Sequence, residues 1–186
     1  AVCMLRRPAA AAPAGVHSQN TYRLFLLLIL AAGIALRLWD FGSIPGGVNQ
    51  DGAMAAVDAK ALADYGTDRF GTWLPCHLYA WGYGQMSSLM SYLIAPLVKL
   101  FGLSVVTMRI PSLLCSIAGG VFFWLFMSDV FGERAGLIAA LLVAINPWHL
   151  IQSRWALDCN LLPHFFMGGL YFLNRGLTEK KRFLYI

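Results

Sequence analysis

The sequence predicts an all-α membrane protein with about four transmembrane helices and two juxtamembrane amphipathic helices in its first extracytoplasmic loop. Of its 186 residues, 59% are hydrophobic and 12% are charged, against about 25% charged in a typical soluble domain. Six Trp, seven Tyr and twelve Phe add the rings that concentrate at membrane interfaces. A water-soluble globule is excluded, because so few polar side chains cannot cover its surface.

The charged residues separate by sign along the chain. Half of the fourteen basic residues flank the apolar region, namely Arg6, Arg7, Arg23, Arg175, Lys180, Lys181 and Arg182. Five of the nine acids lie between the first two apolar segments, namely Asp40, Asp51, Asp58, Asp64 and Asp68. The positive-inside rule then places both ends in the cytoplasm and residues 42–107 outside. The basic residues form no stripe with interleaved aromatics, so no nucleic acid partner is expected.

The first elements follow from composition and turn residues. Residues 1–21 are rich in Ala and Pro, which is typical of a flexible cytoplasmic tail, and without an initial Met the true start is expected upstream. An apolar run with no cleavage site predicts a first transmembrane helix over about 22–41. After a Pro/Gly connector, an amphipathic helix starts at Asp51 and ends near Tyr65. Its apolar face is formed by Ala53, Met54, Val57, Ala61 and Leu62, and its polar face by Asp51, Asp58, Lys60 and Asp64. Residues 66–84 are expected to be irregular and to lie at the headgroup boundary.

Four further apolar segments follow, at about 86–101, 108–128, 135–151 and 160–174. Five crossings would place the two basic ends on opposite sides of the membrane, so one segment is expected not to cross. The segment 86–101 contains Pro96 and Lys99, and its apolar residues fall on one helical stripe, as in an interfacial helix. The alternative, that 135–151 or 160–174 fails to span, stays open. The predicted spans are therefore 22–41, 108–128, 135–151 and 160–174.

Three polar features are candidates for chemistry. Asp51, at the membrane boundary, is a candidate general base towards a hydroxyl, or simply the N-cap of its helix. Arg154 and Asp158 are four residues apart, so on a helix they would pair, or they line a polar cavity. Arg37 either binds a lipid phosphate or snorkels to the interface. The histidines and cysteines show no metal-binding spacing, so no metal site is predicted.

An ordered set of short motifs carries a resemblance to a known family. The set comprises Leu36-Arg37-Leu38-Trp39-Asp40, Asp51, Leu100-Phe101-Gly102, Arg109-Ile110-Pro111-Ser112, Val130-Phe131-Gly132-Glu133-Arg134, Asn146-Pro147-Trp148-His149 and Ser153-Arg154-Trp155-Ala156-Leu157. From Tyr22 onwards the chain is similar to the N-terminal part of the GT-C fold glycosyltransferases that include protein O-mannosyltransferases and the lipid A aminoarabinose transferase.

The resemblance implies a multi-pass enzyme of the cell membrane with an extracytoplasmic active site. Such an enzyme transfers a sugar from a polyprenyl phosphate to an extracytoplasmic protein, lipid or cell-envelope glycan, with inversion. The resemblance assigns Asp51 the role of general base and carries over Arg37, Gln85, Arg154 and Asp158 as substrate-binding candidates. It also implies two juxtamembrane helices in the first loop, which agrees with the count of spans.

Departures from the family pattern leave some points open. Many relatives have Glu where this chain has Gly52, and the aminoarabinose transferase type has an acidic residue at the position of Gln85, so neither the donor nor a need for a divalent cation is assigned. Relatives have more spans, which favours an N-terminal portion of a longer protein. Two alternatives remain: a transporter or flippase-like subunit that uses Asp51, Arg154 and Asp158 as a relay, and a non-catalytic fragment.

Overall fold

The computed structural model describes residues 16–82 and 84–179, and these residues are mostly helical. Within them, Gln19–Leu38 and Val105–Phe131 are long and apolar enough to cross a membrane. The elements in chain order are α1 (Val16–Leu38), α2 (Gln50–Tyr65), β1 (His77–Ala80), β2 (Gly84–Ser87), α3 (Leu89–Phe101), α4 (Val105–Phe131), α5 (Glu133–Ile145), α6 (Pro147–Gln152), a 3-10 turn (Asp158–Asn160) and α7 (Leu162–Glu179).

Several boundaries differ from the sequence prediction. Helix α1 begins at Val16, so residues 16–21 of the predicted tail are helical, and residues 1–15 lie outside the described residues. The predicted segment 135–151 is divided between α5 and α6, because Pro147 cannot continue the ladder of α5 but is well suited to begin a new helix. The backbone N–H of Asn146 still bonds to Leu142 O at 3.0 Å and closes α5.

A β-hairpin replaces part of the chain that was predicted to be irregular. Strands β1 and β2 pair antiparallel, with His77 opposite Ser87 and Tyr79 opposite Gln85. Met86, which was predicted to begin the interfacial helix, lies in β2, and α3 starts at Leu89. The described residues are mostly helical, as the predicted all-α class requires, and the hairpin is a departure from it. Two four-residue strands leave too little alternation for the sequence to reveal them.

The described residues fall into two compact units, of which the first is named here the loop unit. It comprises residues 39–116 and 151–162, and its core forms where α2 packs on α3. Ala55, Ala56 and Ala59 of α2 are buried against Met90 and Ile94 of α3. Because alanine side chains are short, the two helices approach closely, and Ser91 Oγ donates a hydrogen bond to Ala55 O across the contact at 2.9 Å.

The buried face of α2 is not the face that hydrophobicity predicted. Val57 was assigned to the apolar face, yet it is 50% exposed, whereas Asp58 was assigned to the polar face and is 1% exposed. The real contact surface consists of small residues and one paired carboxylate. Hydrophobic periodicity gives most weight to large apolar side chains. It therefore predicted a buried face that is rotated about the helix axis from the observed one.

The second unit, named here the helical unit, includes residues 16–38, 117–150 and 163–179. Helix α1 packs on α5, where a Cβ on Gly33 would lie 3.1 Å from Ala144 Cβ. Trp124 Nε1 donates to Tyr22 Oη at 3.1 Å. Several apolar side chains of α1 are more than half exposed, namely Leu24, Phe25, Leu27 and Leu28, as expected of a helix that lipid covers.

Candidate active site

Asp51 lies in the first turn of α2, and its carboxylate is not the helix cap. Asn49 is the N-cap residue, and its Oδ1 accepts a hydrogen bond from the backbone N–H of Asp51 at 2.9 Å. The alternative in which Asp51 caps the helix is therefore wrong. Its side chain is exposed, and the positive end of the helix dipole stabilises a negative charge there. The Asp51 carboxylate is therefore accessible to a ligand, whereas the side chain of an N-cap residue is occupied by a backbone N–H of its helix.

The nearest polar partner of this carboxylate comes from the hairpin. Trp81, at the tip between β1 and β2, donates its indole N–H to Asp51 Oδ1 at 3.3 Å. The tip turns sharply, since Trp81 and Gly82 both have positive φ, at 57° and 77°. The hairpin therefore brings an aromatic side chain to a carboxylate that lies thirty residues earlier in the chain.

The other end of the hairpin is held by Asp158. The backbone N–H of Ser87 donates to Asp158 Oδ2 at 3.2 Å, and that of Cys159 donates to Oδ1 at 2.8 Å. Residues 153–157 are not helical, so the argument that Arg154 and Asp158 pair across one helical turn is wrong. Gln85 is exposed on β2, opposite Tyr79. Asp51, Gln85 and Asp158 thus all lie on the hairpin or bond directly to it.

Arg154 does not face an open cavity but holds the connector that precedes α2. It is 6% exposed, and its guanidinium donates to Trp39 O at 2.6 Å and to Ile44 O at 3.2 Å. Burial lowers the pKa of Arg154, and the Asp40 carboxylate opposes that shift. The side chain still carries its charge at neutral pH, since no protein environment deprotonates arginine.

Arg109 of α4 also holds the connector, and the sequence analysis did not select it as a candidate site residue. Its guanidinium donates to five carbonyls of the connector, those of Phe41, Gly42, Ile44, Pro45 and Gly47, at 2.8 to 3.3 Å. Two arginines therefore fold the connector that leads into Asn49 and Asp51. The available signal was an arginine inside an otherwise apolar helix, which needs carbonyl partners when it is buried.

Arg37 belongs to the helical unit, and the snorkelling interpretation of it is wrong. It is 3% exposed, and it donates to Gly33 O at 2.8 Å, to Val143 O at 2.9 Å and to His149 Nδ1 at 2.7 Å. His149 in turn contacts the ring of His164, with centroids 5.3 Å apart. The guanidinium therefore links α1 to α5 and α6, and this geometry does not present it to a lipid phosphate.

The position that carries Glu in many relatives has no room for a side chain. Gly52 is buried, and a Cβ there would lie 2.9 Å from Ala156 O and 3.4 Å from Met108 Cε. Within the described ranges, no group of three or more His, Cys, Asp or Glu side chains is placed to hold a metal ion. Position 52 therefore supplies no second carboxylate beside Asp51, and we assign no role to a divalent cation.

A second carboxylate of α2 is buried and was also missed as a special residue. Asp58 Oδ1 accepts the backbone N–H of Arg69 at 3.0 Å, and Oδ2 lies 3.6 Å from Arg69 Nη1. Burial raises the pKa of Asp58, the hydrogen bond and the charge of Arg69 oppose this, and Asp68 adds to it. Arg69 also donates to Tyr79 O on β1. The Asp58–Arg69 pair therefore connects α2 to the hairpin.

These observations define a helical membrane protein whose loop unit exposes one carboxylate beside an aromatic hairpin. The family model of dolichyl-phosphate-mannose-protein mannosyltransferase matches residues 86–186, which is more than half of the chain. The chain belongs to this family of membrane glycosyltransferases, and the resemblance identified from the sequence is confirmed. The family implies a lipid-linked sugar donor and a membrane context. No curated protein and no solved structure matches the chain.

Proposed function

We propose that the protein transfers a sugar from a polyprenyl phosphate to an extracytoplasmic acceptor, with Asp51 as the general base. The observation that carries this proposal is the exposed Asp51 carboxylate in the first turn of α2, held by an indole N–H at 3.3 Å. Asp58, on the same helix, is buried and paired with Arg69, so it is not available to a substrate. Asp51 itself lies before the residues that the family model matches, so its role rests on geometry and on the sequence resemblance.

The proposed mechanism needs one carboxylate and a good leaving group. Asp51 accepts the proton of an acceptor hydroxyl as the oxygen attacks the anomeric carbon, and polyprenyl phosphate departs from the opposite face with the bonding electrons. One in-line displacement inverts the anomeric configuration and forms no covalent bond between enzyme and sugar. Gln85 and Asp158 lie on or at the hairpin beside this site, and we propose that Gln85 contacts substrate while Asp158 positions the hairpin.

The connector explains why Asp51 is fixed in place. Arg109 and Arg154 hold residues 39–47 through backbone carbonyls, and this segment runs directly into the Asn49 cap. We propose that Arg154 acts in this way and not as a ligand for the donor. Arg37 is proposed as a structural link within the helical unit. Its buried contacts support that role over a contact with phosphate.

The test of this function is product stereochemistry in the membrane-reconstituted protein. We expect transfer of a labelled hexose from polyprenyl phosphate to an acceptor hydroxyl, with the anomeric configuration of the product opposite to that of the donor by NMR. Retention of configuration, or a sugar covalently attached to the protein by mass spectrometry, would contradict the single displacement. Movement of the donor across the bilayer without transfer would favour a transporter.

The membrane topology is a linked proposal. We propose that α3 lies at the outer interface and that both ends of the chain face the cytoplasm. The proposed spans are 22–41, 108–128, 135–151 and 160–174, and the third of them is divided between α5 and α6. Single cysteines introduced at Gln85 and Gln152 should react with an impermeant reagent from outside, and one at Glu133 only from inside. A cysteine at position 133 that is labelled from outside would show that α3 crosses the membrane.

A further inference from the structure

The tip of the hairpin holds a tryptophan in an unusual backbone conformation. Trp81 has φ +57°, a region that bulky side chains rarely adopt and that is enriched at functional sites. Trp81 is also 50% exposed. A large aromatic side chain that is neither buried nor in a relaxed backbone conformation requires an explanation other than packing.

Three hydrogen bonds hold the hairpin that carries Trp81. Asp158 accepts the Ser87 N–H at its base. Arg69, itself paired with Asp58, donates to Tyr79 O on β1. Ser88 Oγ donates to Cys76 O at 2.9 Å just outside the strands. These bonds hold the strands and the base of the hairpin, and the fold thereby places the Trp81 indole beside Asp51.

The indole uses its single polar atom on Asp51. An indole has one hydrogen-bond donor and no acceptor, and this donor points at Asp51 Oδ1. The part of the ring that remains exposed is apolar. An apolar aromatic surface next to a carboxylate suits a pyranose, because the C–H face of the sugar packs on the ring while its hydroxyl groups bond to the carboxylate.

We propose that Trp81 binds the sugar of the donor by stacking on its pyranose and orients the Asp51 carboxylate through its N–H. This inference rests on the proposed function and identifies the sugar-binding surface of the same site. The contact involves the sugar and not the lipid phosphate. Loss of the ring should therefore weaken binding of the sugar-bearing donor and leave binding of the sugar-free carrier unchanged.

The experiment compares two ligands on the reconstituted protein: a polyprenyl phosphate mannose and the same polyprenyl phosphate without sugar. Trp81→Ala should weaken binding of the first by roughly two- to tenfold, the range for one aromatic contact, and leave the second within twofold. Trp81→Phe keeps a ring but removes the N–H, so it should preserve donor affinity better than Trp81→Ala and still lower kcat.

Trp73→Ala is the matched control. Trp73 is 69% exposed in the same loop unit, but it packs over Gly66 and does not contact Asp51 in this structure. It should leave both affinities and kcat unchanged. Wild-type affinity for the donor in Trp81→Ala would overturn the proposal. Equal weakening for both ligands would also overturn it, since this would show a structural role.

An Asp51→Asn arm separates the two proposals. If Asp51→Asn transfers sugar at the wild-type rate while Trp81→Ala loses sugar-dependent affinity, the general base is wrong and the stacking contact stands. If Asp51→Asn is inactive while Trp81→Ala binds and transfers normally, the general base stands and the stacking contact is wrong. Absence of both binding and transfer in the wild type would overturn both.

Discussion

Asp51 and Asp58 are seven residues apart on one helix, and their surroundings differ in every respect. Asp51 is exposed in the first turn and bonds to an indole at 3.3 Å. Asp58, two turns later, is 1% exposed and lies 3.6 Å from the Arg69 guanidinium. Both residues have the same side chain and lie on the same helix. The segments that pack around each one therefore decide which carboxylate is exposed and available for chemistry.

The largest difference between the two carboxylates should appear when each loses its partner. Arg69→Ala leaves Asp58 buried without its counter-charge, which should reduce the free energy of unfolding by about 3–5 kcal/mol. Trp81→Phe removes the partner of an exposed carboxylate and should change the free energy of unfolding by less than about 0.5 kcal/mol. Thermal unfolding in one detergent measures both, and similar losses would show that Asp51 is not the more accessible group.

The next largest effect concerns the space beside Asp51. Gly52→Glu restores the residue type found in many relatives, but its Cβ would lie 2.9 Å from Ala156 O. We expect it to lower the free energy of unfolding by about 1–3 kcal/mol. Gly52→Ala is the matched control, and it should show most of the same loss because the clash begins at Cβ. Wild-type stability in Gly52→Glu would contradict this expectation, because it would mean that residues 153–157 move away from the new side chain at little cost.

The cap of α2 should have a smaller effect. Asn49→Ala removes the side chain that accepts the Asp51 N–H, and we expect a loss of about 1 kcal/mol in the free energy of unfolding. Asn49→Asp keeps an acceptor at this position and should retain wild-type stability. If Asn49→Ala has no effect while Asp51→Asn destabilises α2 by a similar amount, Asp51 would be the cap after all.

The smallest expected effect is the pH dependence of stability that comes from Asp58. Burial raises the pKa of Asp58 above its usual value, so the folded protein holds this proton more tightly than the unfolded chain. The contribution of Asp58 to stability is complete below the unfolded pKa of about 3.9 and falls as pH rises through the folded pKa. Asp58→Asn should flatten this decline in a series of unfolding midpoints. An unchanged decline in that variant would show that another group is responsible.

Part of this arrangement could be predicted from the sequence. The helix that starts near Asp51 and ends at Tyr65 follows from its polar start and the glycine at position 66. The choice of Asp51 as a candidate came from the resemblance and from its place after the connector, and its role stays a proposal. Local signals of this kind depend on neighbours within a few residues, which the sequence shows directly.

The rest depends on contacts between distant segments. The bond from Trp81 to Asp51 spans thirty residues, and that from Ser87 to Asp158 spans seventy-one. The buried carboxylate of Asp58 was assigned to a polar face because its partner, Arg69, lies in a loop without periodicity. One of the two interpretations of Arg154 and Asp158 was a pair at helical spacing, but residues 153–157 between them are not helical. Such errors arise where tertiary contacts override local pattern.

The most direct test of the central claim is the transfer rate of Asp51→Asn measured beside that of Asp58→Asn. Both variants replace a carboxylate of α2 with its neutral isostere, and both are compared at equal amounts of folded protein. We expect Asp51→Asn to lose at least about a hundredfold in kcat, as for a general base, and Asp58→Asn to remain within a few fold of wild type. Retained turnover in Asp51→Asn would contradict the assignment of Asp51 as the general base.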